Sequence, residues 1–252
     1  MLPGQPWTSP QRTSASPAMQ AVLETLSRVA DRDVPVLLHG EGGSGKSRLA
    51  LLVHGLSPRR AGPFVRVDCV DLAGAAEAAR SGTGASPAPS LQGRLREAAG
   101  GTLFLREVGA LPARLQSALL LHVRPGRAGA AARARIVATT QRDLLVDVAA
   151  GRFLEDLLFR LGVIEVEVPP LRRRPEDVPA LARSFLETFA RAEGVDPPRL
   201  TERAARALSA YSWPGNIREL RNVMQRGLVL CRDACLDLDA LPDRVAAAAG
   251  QA

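Results

Sequence analysis

Apolar positions along this chain keep two rhythms, and the molecule changes character where one gives way to the other. Short apolar runs at VPVLLHG (34–40), PFVRVDCV (63–70), TLFL (102–105) and RIVATT (135–140) have the length and β-branched content of buried strands. VIEVEVP (163–169) alternates as a half-buried strand does. Between them lie segments with helical apolar spacing: RLALLVHGL (48–56), LQGRLREAA (91–99) with Ser90 at its cap, PARLQSALLLHV (112–123) and DVAAGRFLEDLLFRL (147–161). An earlier helix, AMQAVLETLSRVA (18–30), opens on Ser16 as cap and Pro17 in the first turn. Strand and helix taking turns predicts an α/β domain around a parallel sheet. After the proline-bounded break PPLRRRPEDVP (169–179) only helical patterns follow, at 176–194, 201–213 and 216–231, the second capped by Thr201 with Glu202 in its first turn. The expected organisation is a Pro/Ser-rich tail over 1–15, an α/β domain over 16–170, a small helical domain over 171–240 and a low-complexity tail over 241–252.

Composition changes this picture only in places. With 252 residues, 46% hydrophobic and 23% charged, the chain has material for a sizeable core. No apolar run approaches the roughly 18 residues of a membrane span, and MLPGQPWTSPQRTSASP lacks a charged-then-apolar export pattern, so a cytoplasmic address is expected. Cys69, Cys231 and Cys235 are too few for a disulfide framework and are expected as small thiols, the latter two within reach of one helix face. The net charge of +7 invites a nucleic-acid reading, but the arginines are dispersed along the whole chain and aromatic residues make up only 4%. Direct DNA contact is not expected without another module.

One charged residue does change the picture. Lys46 is the only lysine among 33 lysines and arginines. It lies in GEGGSGKS (40–47), which satisfies G-x-x-x-x-G-K-[ST] between a predicted strand and a predicted helix. Gly40, Glu41, Gly42, Gly43, Ser44 and Gly45 form a loop whose backbone N–H groups can close around phosphate oxygens, with the following helix N-terminus adding its dipole. Lys46 supplies a compact cation to the outer phosphates, a place that the wide planar fork of arginine would not fit, and the Ser47 hydroxyl can ligate Mg²⁺. The motif predicts a nucleoside triphosphate site taking ATP or ADP.

The order of the motifs resembles the AAA+ domain of bacterial sigma-54-dependent activators, the NtrC-like enhancer-binding proteins. The likeness is carried by SPAMQAVLE (16–24), GEGGSGKS (40–47), GGTLFLREVGALPARLQSALL (100–120), RIVATTQRDL (135–144), GRFLEDLLFRLGVIEVEVPPLRRRPEDVP (151–179) and YSWPGNIRELRNVMQRGLVL (211–230). It implies an AAA+ αβα sandwich with a central parallel sheet and a C-terminal helical lid. It also implies a ring that hydrolyses ATP to remodel the sigma-54 polymerase holoenzyme, and so a protein partner and self-association. By resemblance Glu107 matches the glutamate that polarises the attacking water, Thr140 part of the first sensor, Arg160 one of two arginines used in trans, and Arg218 the second-sensor arginine of the lid. Several positions depart. Arg106 stands where the family has a Mg²⁺-associated aspartate, Gln141 replaces the first-sensor asparagine, and Leu154 replaces the other trans-acting arginine. In RSGTGA (80–85) only Thr83, Gly84 and Ala85 match the sigma-54-gripping loop, with Gly82 at its aromatic position. The second remodelling loop, near RPGRAGAAARA (124–134), is short.

The departures cluster in hydrolysis and partner contact, and the retained residues in nucleotide binding. The expectation is an ATP-binding AAA+ regulator with impaired hydrolysis; the alternative is a nucleotide-binding AAA+ scaffold acting through protein–protein contact. Arg106 lies at the carboxyl end of a predicted central strand, where such sheets hold ligands. Pointing inward, its guanidinium would attract phosphate and oppose a cation: two unit charges about 4 Å apart repel by roughly 4 kcal/mol at an effective dielectric of about 20, and Mg²⁺ doubles this. Pointing outward, it would leave Mg²⁺ to Ser47 and water. The segment Asp71 to Ser90, small and without an aromatic tip, yields an outcome testable by footprinting. The chain alone is expected to give no open complex at a sigma-54 promoter, and permanganate-reactive thymines there would refute this.

Overall fold

The computed structural model describes residues 14–74, 90–124, 133–231 and 234–250, so RSGTGA and most of RPGRAGAAARA, with the readings made on them, lie outside the described residues. The chain divides into two units, one of Glu24–Gly40 with Gly45–Val168, the other of Met1–Leu23, Glu41–Ser44 and Pro169–Ala252. The first helix, α1 (Pro17–Val29), contains the first division. Four residues of the phosphate loop group with the helical unit, which a linear reading does not foresee.

The first unit is built on five parallel strands: β1 (Val36–His39), β2 (Phe64–Asp68), β3 (Thr102–Arg106), β4 (Arg135–Thr140) and β5 (Ile164–Glu167). Parallel neighbours need long crossovers. Those between the strands carry α2 (Lys46–Leu56), α3 (Leu91–Glu97), α4 (Ala113–Val123), α5 (Leu144–Ala149) and α6 (Glu155–Leu161). β4 is buried at all six positions and β3 at all but its last, as befits strands covered on both faces. The edge strands FVRVD and IEVE bring polar residues to the surface instead. Leu37, Leu103, Leu105 and Ile136 of the sheet pack with Leu119, Leu157 and Leu161 of the helices, each such burial stabilising by about 1.5–3 kcal/mol. The strand order is β2-β3-β4-β1-β5, so the chain leaves β1 for the far edge, returns through β3 and β4, and ends on the other side of β1. This switch of direction puts the loop after β1 where open sheets hold ligands.

Arg135, the first residue of RIVATT, is only 4% exposed. Its guanidinium donates to the carbonyls of Val29 (2.9 Å), Ala30 (2.6 Å) and Val34 (3.2 Å), satisfying carbonyls at and beyond the end of α1. The hydrophobic pattern records this residue only as a strand start.

In the helical unit, α7 (Val178–Glu193), α8 (Glu202–Ala210) and α9 (Asn216–Leu230) follow the predicted helices, and Thr201 caps α8 by accepting from the Ala204 N–H at 3.1 Å. The expectation of helices alone is corrected by a parallel ladder of β6 (Arg199–Leu200) with β7 (Cys235–Leu236). Two-residue strands carry no periodicity to detect. Cys231 follows the end of α9 while Cys235 lies in β7, so they share no helix; the three cysteines are free thiols, and burial pushes that of Cys69 up to about 12. The alanine-rich end is low in complexity yet folded in part: α10 (Asp243–Ala246) buries Val245 completely. No helix among the described residues is long and apolar enough to cross a membrane.

Trp213 is fully buried, donates its Nε1–H to the Leu208 carbonyl at 2.7 Å, and meets Tyr211 edge-on at 5.0 Å. Truncating a buried indole removes this packing and leaves a cavity. Trp213→Ala is therefore expected to destabilise the helical unit by about 3–5 kcal/mol in equilibrium denaturant unfolding, and a loss below about 1 kcal/mol would contradict this account.

Candidate functional site

The loop from Gly40 to Ser47 connects β1 to α2, and its glycines have steric reasons. Gly40 has φ 139°, and a Cβ there would stand 2.6 Å from the Val168 carbonyl oxygen. Gly43 has φ 77°, and a Cβ there would meet the Gly215 oxygen at 2.5 Å. Gly45, at φ 107°, is the N-cap residue of α2, and no side chain caps that helix. An uncapped helix N-terminus of left-handed glycine geometry suits an anion's oxygens. Lys46 is 6% exposed and donates from Nζ to the Gly40 carbonyl at 2.6 Å, lying back along its own loop. Ser44 Oγ is buried without a hydrogen-bond partner. Ser47 is exposed in the first turn of α2. A tight glycine loop, an ammonium and an orphaned hydroxyl fit a phosphate group.

Glu41–Ser44 belong to the helical unit and are tied within it. Glu41 accepts a two-pronged guanidinium contact from Arg172 (2.6 and 2.8 Å) and a hydrogen bond from Asn216 Nδ2 at 3.0 Å. These donors hold the Glu41 carboxyl down to about 2, the Arg172 contact weighing most. Arg218 stands exposed in the first turn of α9, its Cβ 3.2 Å from where a Cβ on Gly43 would be. The structure thus brings Arg218 beside the phosphate loop.

At the carboxyl edge of the sheet, Arg106 has a partner that neither reading of its direction considered. β2 and β3 pair in register with Asp68 opposite Arg106, and Arg106 Nη1 donates to Asp68 Oδ2 at 2.7 Å. Directly opposed residues of adjacent strands project from the same face, so the pairing follows from the register. The pair is partly buried, with side chains 27% and 23% exposed. The guanidinium is therefore engaged by a carboxylate, and the unopposed repulsion of a cation expected above does not describe it.

Glu107 leaves the strand at φ 52°, a left-handed conformation uncommon for a side-chain-bearing residue. Its carboxylate is clasped by Gln141, Oε2 accepting from the backbone N–H at 3.0 Å and Oε1 from the side-chain amide at 2.9 Å. Thr140 is buried and spends its hydroxyl within the next turn, accepting from Arg142 N at 3.0 Å and donating to Arg142 O at 3.2 Å. Arg160 is exposed in the last turn of α6, and among the described residues no hydrogen bond or ion pair joins it to the others. Leu154 packs against the hydrophobic core instead. Asp68, Arg172 and Asn216 were missed from sequence. Only Asp68 left a signal: VD and LR end two strands with opposite charges. Among the described residues no group of three or more His, Cys, Asp or Glu is arranged to hold a metal ion.

Comparison with known proteins bears on the family and the fold. The family model of the sigma-54 interaction domain matches residues 13–167, and that of the AAA+ ATPase lid domain matches residues 172–252. The alginate biosynthesis transcriptional regulatory protein AlgB of Pseudomonas aeruginosa is 42% identical over 95% of the chain and 56% of its own length. The crystal structures of NtrX from Brucella abortus in complex with ATP and with ADP superpose with TM-scores of 0.77 and 0.76, at 32% identity over 92% of this chain and 54% and 55% of theirs. The chain spans about half the length of the curated relatives it matches.

Lys46 supplies the ammonium of the loop, and charge-assisted hydrogen bonds contribute about 1.5–3 kcal/mol each. Lys46→Ala is expected to weaken ATP binding by roughly tenfold or more in a fluorescent-nucleotide titration. Unchanged affinity would remove the loop as the binding site.

Proposed function

Since the chain belongs to the family of sigma-54 interaction domains, an AAA+ fold followed by an AAA+ lid, we propose that it is an ATP-binding transcriptional regulator whose ATP hydrolysis is impaired. The observation that carries this reading is the contrast between the two halves of the site. The phosphate loop keeps its glycines, its lysine and its bare helix N-terminus. The acids that would serve hydrolysis are absent or engaged: position 106 is an arginine bound to Asp68, and Glu107 is clasped through both oxygens by Gln141.

Bound nucleotide would present its phosphates to the N–H groups of Gly40 to Ser47, with Lys46 as the cation. Turnover needs a carboxylate to orient water and a cation to neutralise developing charge. Glu107 retains lone pairs for a water, but the Gln141 clasp fixes the direction they face. The residues present do not fit Mg²⁺ in the family's manner, since position 106 holds an arginine engaged by Asp68 where a carboxylate would orient its water; Ser47 and the phosphates remain. The Asp68–Arg106 pair is neutral, so it neither repels a divalent cation strongly nor holds one. Nucleotide binding is therefore nearly indifferent to Mg²⁺, and the protein works by switching between nucleotide-bound and nucleotide-free forms. Self-association and a protein partner follow as the means of that regulation.

Replacing Arg106 alone by aspartate would oppose two carboxylates across the strands, a destabilising arrangement. The informative variant is the double Asp68→Asn, Arg106→Asp, which leaves one carboxylate and no adjacent charge. For the unmodified protein, ATP affinity by calorimetry is expected to change less than about threefold on adding Mg²⁺, and in the double variant to rise about tenfold, or 1.4 kcal/mol. Robust Mg²⁺-dependent phosphate release by the unmodified protein would overturn the proposal.

A further inference from the structure

The contacts of Glu41–Ser44 with the helical unit involve each of the four residues in turn. Arg172 grips the Glu41 carboxylate at 2.6 and 2.8 Å. Asn216 Nδ2 donates both to Glu41 Oε2 at 3.0 Å and to the Gly42 carbonyl at 3.1 Å. The Ile217 N–H donates to the Gly43 carbonyl at 3.0 Å, and Arg174 Nη2 donates to the Ser44 carbonyl at 2.5 Å. All of these residues belong to one unit.

Two of the anchors are themselves tightly constrained. Asn216 is fully buried and sits at φ 52°, a left-handed conformation that asparagine tolerates better than most side chains. Its Oδ1 accepts the Leu171 N–H at 2.7 Å, which settles the orientation of the amide: the oxygen faces a pure donor and the nitrogen faces two acceptors. Arg174 is 4% exposed and also reaches Met19 Sδ at 3.3 Å.

What these contacts accomplish follows from peptide geometry. In a trans peptide the C=O of one residue and the N–H of the next point in opposite directions. Turning the carbonyls of Gly42, Gly43 and Ser44 toward donors of the helical unit turns the N–H groups of Gly43, Ser44 and Gly45 the other way. Of these, the Ser44 N–H makes only a long bond, 3.3 Å, to the Glu41 carbonyl. Convergent N–H groups are what a phosphate needs.

We propose that Asn216, Arg172 and Arg174 are positioning residues for the phosphate loop, and that Glu41 is the acceptor through which the helical unit sets nucleotide affinity. The inference rests on the reading of the loop as a nucleotide site and names how that site is regulated: a change in the helical unit that moves Asn216 or Arg172 releases the loop carbonyls and lowers affinity. Because Glu41 stays ionised down to about pH 2, the clamp persists across the usable pH range.

Asn216→Asp isolates the donor. It keeps the shape and the acceptor for Leu171 N–H, but sets a carboxylate against Glu41 Oε2 and the Gly42 carbonyl. ATP affinity should fall at least about tenfold, and the reciprocal Glu41→Gln, Asn216→Asp double variant, which restores the contact between positions 41 and 216 but not the donor to the Gly42 carbonyl, should recover part of it. Arg172→Ala, at the exposed end of the clamp, should lose about twofold to fivefold and leaves the buried anchor in place should Asn216→Asp fail to fold. Hydrogen exchange of the nucleotide-free protein gives a readout independent of ligand: the Ile217 amide, donor to Gly43, should exchange faster in Asn216→Asp and recover in the double variant. Folded Asn216→Asp with unchanged affinity and exchange would overturn the clamp, as would a double variant no better than the single. Loss of the nucleotide reading is distinguishable, because then Lys46→Ala would leave ATP binding unchanged while the exchange result still decides the clamp.

Discussion

The constraint on which the rest depends is the backbone accounting of the loop between β1 and α2. A loop that offers its N–H groups to an anion must find other donors for its carbonyls, since buried carbonyls left without partners are costly. The chain meets this in three ways. Gly40 turns against Val168 and receives the lysine ammonium, Gly45 begins α2 and accepts from its first turn, and the residues between direct their carbonyls to Asn216, Ile217 and Arg174. The glycines follow from this closeness: at Gly40 and Gly43 a Cβ would stand within 2.6 Å of a backbone oxygen.

A second consequence lies at the carboxyl ends of β2 and β3. Arginine at the end of a buried strand is tolerated because the register sets Asp68 directly opposite, so the two charges leave water as a pair. One residue further on, Glu107 turns out of the strand and is held by Gln141, which fixes the carboxylate without adding a charge. At the sheet's carboxyl edge the Arg106–Asp68 pair is neutral and Glu107 keeps its charge, while the phosphate loop beyond β1 keeps its ammonium.

Much of this was legible along the chain, and the reason is locality. The phosphate loop is eight consecutive residues, and the single lysine among so many arginines marks it without knowledge of any neighbour. The buried strands appear as apolar runs, and the cap of α8 by Thr201 spans three residues. What escaped was non-local or too short to have a period. The β6–β7 ladder has two residues a side. Arg135 reads as a strand start, yet its three carbonyl acceptors lie about a hundred residues earlier in the chain.

The sequence by itself determined the five sheet strands, most of the helices, the parallel α/β class and the motif of the loop, because each depends on residues within a turn or a strand of one another. Only the tertiary structure decided which charges meet. Arg106 finds Asp68 38 positions away, Arg172 finds Glu41 across 131, and Asn216 reaches Glu41 across 175. Direct pairing of charges requires a few ångströms of approach, and that distance is set by strand order, register and helix packing, none of which a one-dimensional pattern contains.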